Sequence, residues 1–430
     1  MARVMKDSRV EWIGEIPEGW GTNTAFQLFT QVKNKNEGLK EHNLLSLSYG
    51  KIKRKSIETV SGLLPESFDG YNIIEPDDIV LRLTDLQNDQ KSLRVGLSPE
   101  RGIVTSAYLT LRNRSTSLPK YLYYYLHAFD ISKGFYGMGA GVRQGLNWDG
   151  LKWLKILTPP VSEQKKIVSL LDGECARIDA VIEQTRASIE EYKKLKQSVI
   201  TQAVTNGIRP SRKMKDSGVE WIGEIPENWK HRKLKSFISI PVVDGPHESP
   251  ELFDTGIPYI SATAIVNGII DFSQRRGFIS EEYCDECDKR YKPQVGDILV
   301  IKLGASTGQV AIVDSEERFN IWVPLAAVRC SSLVNSKFIY YCFQSDYLIR
   351  QMQLSWTFGT QQTLGVKTIE ALKFFIPPIE EQDEIIEHLN EKCYEINILL
   401  EKKQQLLEEL ESYKKSLIFE YVTGKKEVGQ

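Results

Sequence analysis

A block of sixteen residues near the N-terminus returns almost unchanged in the middle of the chain. Met5–Trp20 reads MKDSRVEWIGEIPEGW and Met214–Trp229 reads MKDSGVEWIGEIPENW, with fourteen of sixteen positions identical at an offset of 209. A second pair follows at an offset of 218, Pro159-Pro160-Val161-Ser162-Glu163-Gln164 against Pro377-Pro378-Ile379-Glu380-Glu381-Gln382. A weaker third match sets Lys120-Tyr121-Leu122-Tyr123-Tyr124 against Lys337-Phe338-Ile339-Tyr340-Tyr341. A solenoid would show a shorter period and at least three copies. The pattern is one unit written twice, with a constant frame around two inserts that have diverged.

Each Pro-Pro pair disfavours helix before it and suits a helix start after it, with Glu163 or Glu380-Glu381 complementing the N-terminal dipole. Beyond it runs a stripe with alternating steps of four and three. The first is Leu171, Cys175, Ile178, Ile182, Thr185, Ile189, Tyr192, Lys196, Val199, Ala203. The second matches it position for position: Leu389, Cys393, Ile396, Leu400, Lys403, Leu407, Leu410, Lys414, Leu417, Tyr421. This is the spacing of a helix–helix seam. Helices of ~40 residues would be ~60 Å long, too long to be buried in a flanking domain, so each stripe is expected to pair with its twin. Lys196 and Lys414 fall at equivalent seam positions, where a polar residue can fix register. If a pseudo-twofold axis relates the units, the helices form an antiparallel coiled coil and the end of the second lies beside the N-terminal motif.

The expected organisation is therefore a motif at 1–20, a domain at 21–157, a long helix at 158–207, the repeated motif at 208–229, a domain at 230–375, a second long helix at 376–424 and a tail at 425–430. Both domains read as α+β, with short strands at Asp78–Leu83, Ile257–Ile260, Ile298–Lys302 and Gln309–Val313 and a helix near each end. The tyrosines at 121–125 and 340–341 alternate with Leu and Ile, which suits core packing.

Two different domains at a fixed separation can read two patches of one partner, and successive turns of the major groove, ~34–36 Å apart, suit that geometry. The doubled Pro-Pro-x-x-Glu-Gln, the doubled Glu-Trp-Ile-Gly-Glu-Ile-Pro, and Ile257-Pro258-Tyr259-Ile260 followed by Gly296-Asp297-Ile298-Leu299 resemble the DNA-specificity subunits of Type I restriction-modification systems over essentially the whole chain. The resemblance implies two target recognition domains, each reading one half of a bipartite, asymmetric site in double-stranded DNA. It implies that the helices act as a spacer ruler and dock two methyltransferase subunits, with translocase-nuclease subunits joining the complex. S-adenosylmethionine would then belong to the methyltransferase, ATP and Mg to the nuclease, and neither to this chain. One departure is Glu75-Pro76-Asp77-Asp78-Ile79, which lacks the glycine that precedes Asp297, so the turn there is expected to differ.

The residues offer little chemistry of their own. No Asn/Asp-Pro-Pro-aromatic motif or Gly-Lys-Ser/Thr is present, and the glycines of Gly137-Met138-Gly139-Ala140-Gly141 follow a helical stretch. Cys284 and Cys287 have the spacing of half a zinc site without a second pair. The six cysteines and five histidines suggest neither a disulfide framework nor a triad. Met1–Ser8 carries no signal-peptide core and no apolar run approaches the ~20 residues of a membrane span, so a cytoplasmic, non-catalytic subunit is expected. A coiled-coil scaffold without a DNA role, and the specificity subunit of a methylation-only complex, are the alternatives.

Net charge is −2 overall, but residues 21–155 carry 18 Lys and Arg against 13 Asp and Glu, net +5, while residues 230–375 balance at 16 against 16. Lys51, Lys53, Arg54 and Lys55 are candidate phosphate contacts. Arg143 and Gln144, in Gly141–Gly145, align with Gln361 and Gln362, in Gly359–Thr363 beside Thr360. Both segments join flexible backbone to side chains able to meet base edges, or form solvated polar turns. Ser306 and Thr307, in Gly304–Gly308, either meet a phosphate or close a hairpin. Arg275, Arg276 and Lys302 complete the candidates.

Overall fold

Each Pro-Pro pair is followed by a long helix, Val161–Asn206 and Ile379–Val422. The computed structural model describes residues 3–55, 67–89, 92–139, 145–358 and 362–429. The chain divides into two compact units, Met1–Arg186 with Gln405–Gln430, and Ala187–Gln404. The division falls inside both long helices, so each unit contains a segment of both.

In the first unit the domain enters through Gly21–Thr24 and leaves through Lys155–Thr158, which pair antiparallel with Gly21 opposite Thr158. Between them lies a four-stranded antiparallel sheet in the order Phe29–Gln31, Leu109–Asn113, Ile79–Leu81, Val95–Leu97. The hairpin Leu45–Ser48/Lys51–Arg54 packs on it closely. A Cβ at Gly96 would come within 2.6 Å of the Leu47 side chain, so a larger residue there would make the hairpin side chains shift. The helix Pro119–Ile131 buries Tyr121, Tyr124 and Tyr125, as its pattern predicts.

The second unit repeats this plan. Lys230–Lys233 pairs with Lys373–Ile376 at the neck, and the sheet runs Val243–Asp244, Leu325–Val328, Ile298–Ile301, Val310–Ile312. A further sheet sets Ile257–Ile260 antiparallel to Gly277–Ile279 and parallel to Asn320–Ile321.

Within each unit the two helix segments run antiparallel. In the first, Lys414 Nζ reaches Asp179 Oδ1 at 2.6 Å and Arg186 reaches Glu411 at 2.9 Å. In the second, Lys196 Nζ donates to Asn397 Oδ1 at 2.9 Å and the Lys403 ammonium lies 5.4 Å from the Tyr192 ring centroid. Shifting Asp179 and Lys414 by the repeat offset gives Asn397 and Lys196, so one contact is made twice, once as an ion pair and once as an ammonium–amide hydrogen bond. Leu171, Ile178, Ile182, Ile189, Leu389, Ile396, Leu407 and Leu417 are buried. Tyr192, Val199, Leu400 and Leu410 are only half-buried, and Ile200, Ala203, Val204, Ile418 and Val422 are buried beside them. The expected stripe is corrected at these positions, since a straight helix drifts ~20° per heptad from a 3.5-residue repeat and a strict stripe does not stay on the buried face.

The two motifs of the repeat explain each other. Glu163 accepts hydrogen bonds from Trp20 Nε1 at 2.9 Å and from Arg3, whose guanidinium lies over the Trp20 ring. Glu381 is bound by Arg212, which lies over Trp229, while Trp229 Nε1 lies beside the same carboxylate without a hydrogen-bond partner of its own. The adjacent glutamine is buried in both units. Gln164 accepts from Leu118 N and donates to Pro159 O, both at 2.8 Å. Gln382 does the same with Asn335 N at 2.8 Å and Pro377 O at 3.0 Å. Each long helix ends on a left-handed glycine, Gly207 or Gly424, and a Cβ there would stand 3.3 Å from Trp229 or 3.2 Å from Trp20. Lys425 Nζ donates to Glu15 O at 2.9 Å, so the end of the second helix lies on the N-terminal motif, the neighbourhood expected from the repeat.

Candidate nucleic-acid interface

The strand that centres each sheet begins at a buried aspartate. Asp78, 2% exposed in its side chain, accepts from Arg112 Nε at 2.8 Å and Nη2 at 2.6 Å and caps Glu75 N at 2.8 Å. Asp297 accepts from Arg329 Nε at 2.8 Å and Nη2 at 2.7 Å, from Gln294 N at 2.9 Å, and from the Tyr291 hydroxyl at 2.7 Å. The turn before the first strand was expected to differ for want of glycine. It does not, since Asp77 adopts φ +69° where Gly296 has φ +91°, and aspartate tolerates the left-handed region better than most residues.

Each central strand then delivers its chain into a loop beside a second loop from the end of the domain. In the first domain Leu146 N donates to Leu83 O at 2.9 Å, and in the second Leu364 N donates to Lys302 O at 2.8 Å. The second pair is tied further by Gly304 N to Gln362 O at 3.2 Å and by Thr307 Oγ1 to Gln362 O at 3.3 Å. Gly304–Gly308 and the segment holding Gln362, separate candidates in the sequence, are thus brought together. Arg143, Gln144, Thr360 and Gln361 lie outside the described residues.

The other candidates fare unevenly. Lys53 and Lys55 are exposed on the hairpin, Arg54 is exposed but pairs with Glu100, and Lys51 reaches Asp179 at 3.6 Å. Lys302 is corrected: its side chain is 9% exposed and bound to Asp244, which also holds Arg290, because the residue sits at the end of a central strand. Thr307 is corrected too, being buried with its hydroxyl on turn carbonyls, while Ser306 is half-buried beside it. Arg275 lies over Phe278, and Arg276 stacks on Trp322 with 3.2 Å from guanidinium carbon to ring centroid.

Within the second unit a groove of about 840 Å³ opens beside this loop pair. It is lined by Thr307, Gly308 and Gln309, by the hairpin tip Asn267-Gly268-Ile269, and by Lys193, Lys196 and Asn397 of the long helices. The groove places a polar turn next to helix ammonium groups.

Sequence reasoning passed over the loop of the first domain, residues 82–89. Its signal was a run of turn-forming and amide residues, Thr84-Asp85-Leu86-Gln87-Asn88-Asp89, directly after a strand. Behind it Asp130 accepts from the Arg94 backbone N–H at 2.6 Å while its other oxygen is buried without a partner. Burial pushes the Asp130 carboxyl up to about 6, against the lowering effect of Arg94. The folded state therefore binds a proton that the unfolded state lacks between about pH 4 and 6. Asp130 is expected to withhold stability, on the order of 3 kcal/mol, as pH rises from about 4 through 6. Melting curves of the wild type and Asp130→Asn from pH 4 to 7 check this, since the variant should lose that part of the slope. An identical slope would count against it.

Cys284 and Cys287 are buried in the helix Glu281–Arg290. Among the described residues no group of three or more His, Cys, Asp and Glu is placed to hold a metal ion, and no helix is long and apolar enough to cross a membrane.

A doubled frame that presents two unlike pairs of loops defines a recognition protein with two modules of mixed helix and strand. Residues 226–411 match the model of the Type I restriction modification DNA specificity domain. The chain is 26% identical over 428 residues to the putative type I restriction enzyme MjaX specificity subunit of Methanocaldococcus jannaschii, covering 96% of this chain and 95% of that one. It is 29% identical over 248 residues to the EcoBI specificity subunit of Escherichia coli, covering 54% and 50%. A chain from a solved structure addressing complex assembly and conformational transition of the type I R-M system has the same fold. The TM-score is 0.67 at 15% identity, over 96% of this chain and 99% of that one. The chain is thus similar along nearly its whole length to a Type I specificity subunit, and residues 226–411 match the DNA specificity domain of such proteins.

Proposed function

We propose that this chain selects the DNA target of a Type I restriction-modification complex, each domain reading one half of a bipartite, asymmetric site. The observation that carries this reading is the repeated pair of loops, set side by side behind the same aspartate–arginine clamp but built from different residues. A shared frame with unlike loops suits two unlike half-sites. The exposed Lys53 and Lys55 of the first domain supply charge suited to phosphate contact.

In this reading the two helices form one antiparallel coiled coil that relates the halves by a pseudo-twofold axis, sets the spacer and docks two methyltransferase subunits. Translocase-nuclease subunits join through the assembled complex. The chain performs no chemistry. Methylation uses S-adenosylmethionine held by the methyltransferase, and cleavage uses ATP and Mg held by the nuclease.

Footprinting of the chain with its methyltransferase partner tests the reading, and protection of a two-part site is the expected result. Insertion of four residues into both helices, between Arg186 and Ala187 and between Gln404 and Gln405, adds ~6 Å of rise. It should lengthen the preferred spacer by one or two base pairs at roughly 3.4 Å each while leaving both half-sites unchanged. Altered half-sites would count against the ruler.

A further inference from the structure

In the first domain the loop after the central strand is built around a buried cation. Arg94 is 0% exposed. Its guanidinium donates to the carbonyls of Arg82 at 3.0 Å, Thr84 at 2.9 Å and Asp85 at 3.4 Å, and to that of Asp89, and its Nε donates to the Tyr136 hydroxyl at 3.2 Å. A buried guanidinium must have its donors occupied, and here the backbone of one short segment occupies most of them. Leu86, also fully buried, fixes the middle. The segment has little freedom left, and it turns Thr84, Gln87 and Asn88 to the outside.

These three side chains are not used by the fold. Thr84 and Gln87 have no side-chain hydrogen-bond partner among the described residues, and Asn88 spends one N–H on Asp85 Oδ1 at 2.7 Å. Uncharged amides and a hydroxyl carry donors and acceptors suited to base edges, Gln and Asn above all to adenine. The carboxylates of Asp85 and Asp89 in the same segment make it a poor phosphate site. The loop also adjoins Leu146, the residue that ties it to the second loop of the domain. The corresponding turn of the second domain, Gly304–Gly308, is closed by its own threonine instead.

We infer that Arg82–Asp89 is a base-reading element of the first domain, with Thr84, Gln87 and Asn88 as its contact side chains and Arg94 as the residue that positions them. This rests on the reading of the chain as a DNA-specificity subunit.

The test uses the full chain in complex with its methyltransferase subunits and a randomised duplex DNA library, sequenced after selection for binding. Wild type should return two half-sites. Gln87→Ala and Asn88→Ala should each flatten the preference at one or two base pairs of a single half-site, roughly tenfold or more, with the other half-site intact. Arg94→Lys, which replaces a fork by a point charge, should flatten the same half-site and spare the other. If Arg94→Lys yields no folded complex, the two exposed variants decide. Unchanged preference in Gln87→Ala and Asn88→Ala, or equal loss at both half-sites, would overturn the assignment alone. A wild-type complex that selects no sequence overturns the specificity reading beneath it.

Discussion

Replacing Asp297 by alanine is expected to destabilise the second domain by about 3–5 kcal/mol, the usual cost of stranding one partner of a buried ion pair. The carboxylate receives two bonds from Arg329, one from the Tyr291 hydroxyl and one from the backbone of Gln294. Alanine leaves Arg329 Nε, the Tyr291 hydroxyl and Gln294 N without that acceptor and Arg329 Nη2 with the Lys292 carbonyl alone, and the Arg329 side chain is only 21% exposed, so water replaces little of what is lost. The counterpart Asp78→Ala should cost less, because the Arg112 side chain is 45% exposed and can be hydrated. Urea unfolding midpoints of the two variants check the difference. Equal and small losses would mean that the clamp contributes nothing beyond its geometry.

Trp229→Ala is the second large effect, again about 3–5 kcal/mol. The ring is fully buried in the core of the second unit, under Arg212 and against Gly207 at the end of the first long helix. Its removal opens a cavity where helix end, helix start and motif meet. Trp221, in the same motif, is 42% exposed with only Arg350 over its ring, and Trp221→Ala should cost under about 1 kcal/mol. Thermal melts followed by circular dichroism separate the two, and similar costs would mean that the motif is held by something other than the buried ring.

That contrast bears on what the sequence discloses. Trp12 and Trp221 occupy the same position in a repeat with fourteen of sixteen identities. Yet Trp12 packs against Tyr125, Phe129 and Phe419, whereas residues 342 and 346 stand where the repeat puts Tyr125 and Phe129, and they are Cys342 and Asp346. The frame was legible because duplication wrote it twice: the helices, their direction, and the junction of the second helix end with the first motif follow from matched spacings. The roles inside the frame were not legible. Glu163 and Gln164 look like a helix-start signature, and only the folded chain shows that one binds a tryptophan and the other satisfies a proline carbonyl. Lys302 and Thr307 look like ligand groups because a pattern of residue types carries no burial. Arg94 was invisible for the converse reason. A lone arginine before a strand reads as surface, and its carbonyl partners are backbone atoms that every residue has.

The paired strands at the neck of each domain have one more consequence. Gly21 faces Thr158, and Lys230 faces Ile376, so all that lies between enters and leaves the frame at a single point. Recombination that exchanges everything between those strands leaves both long helices and both tryptophan motifs uncut. On the reading proposed above, such an exchange would bring in a new half-site preference in one genetic event, as a cassette, without its being evolved residue by residue.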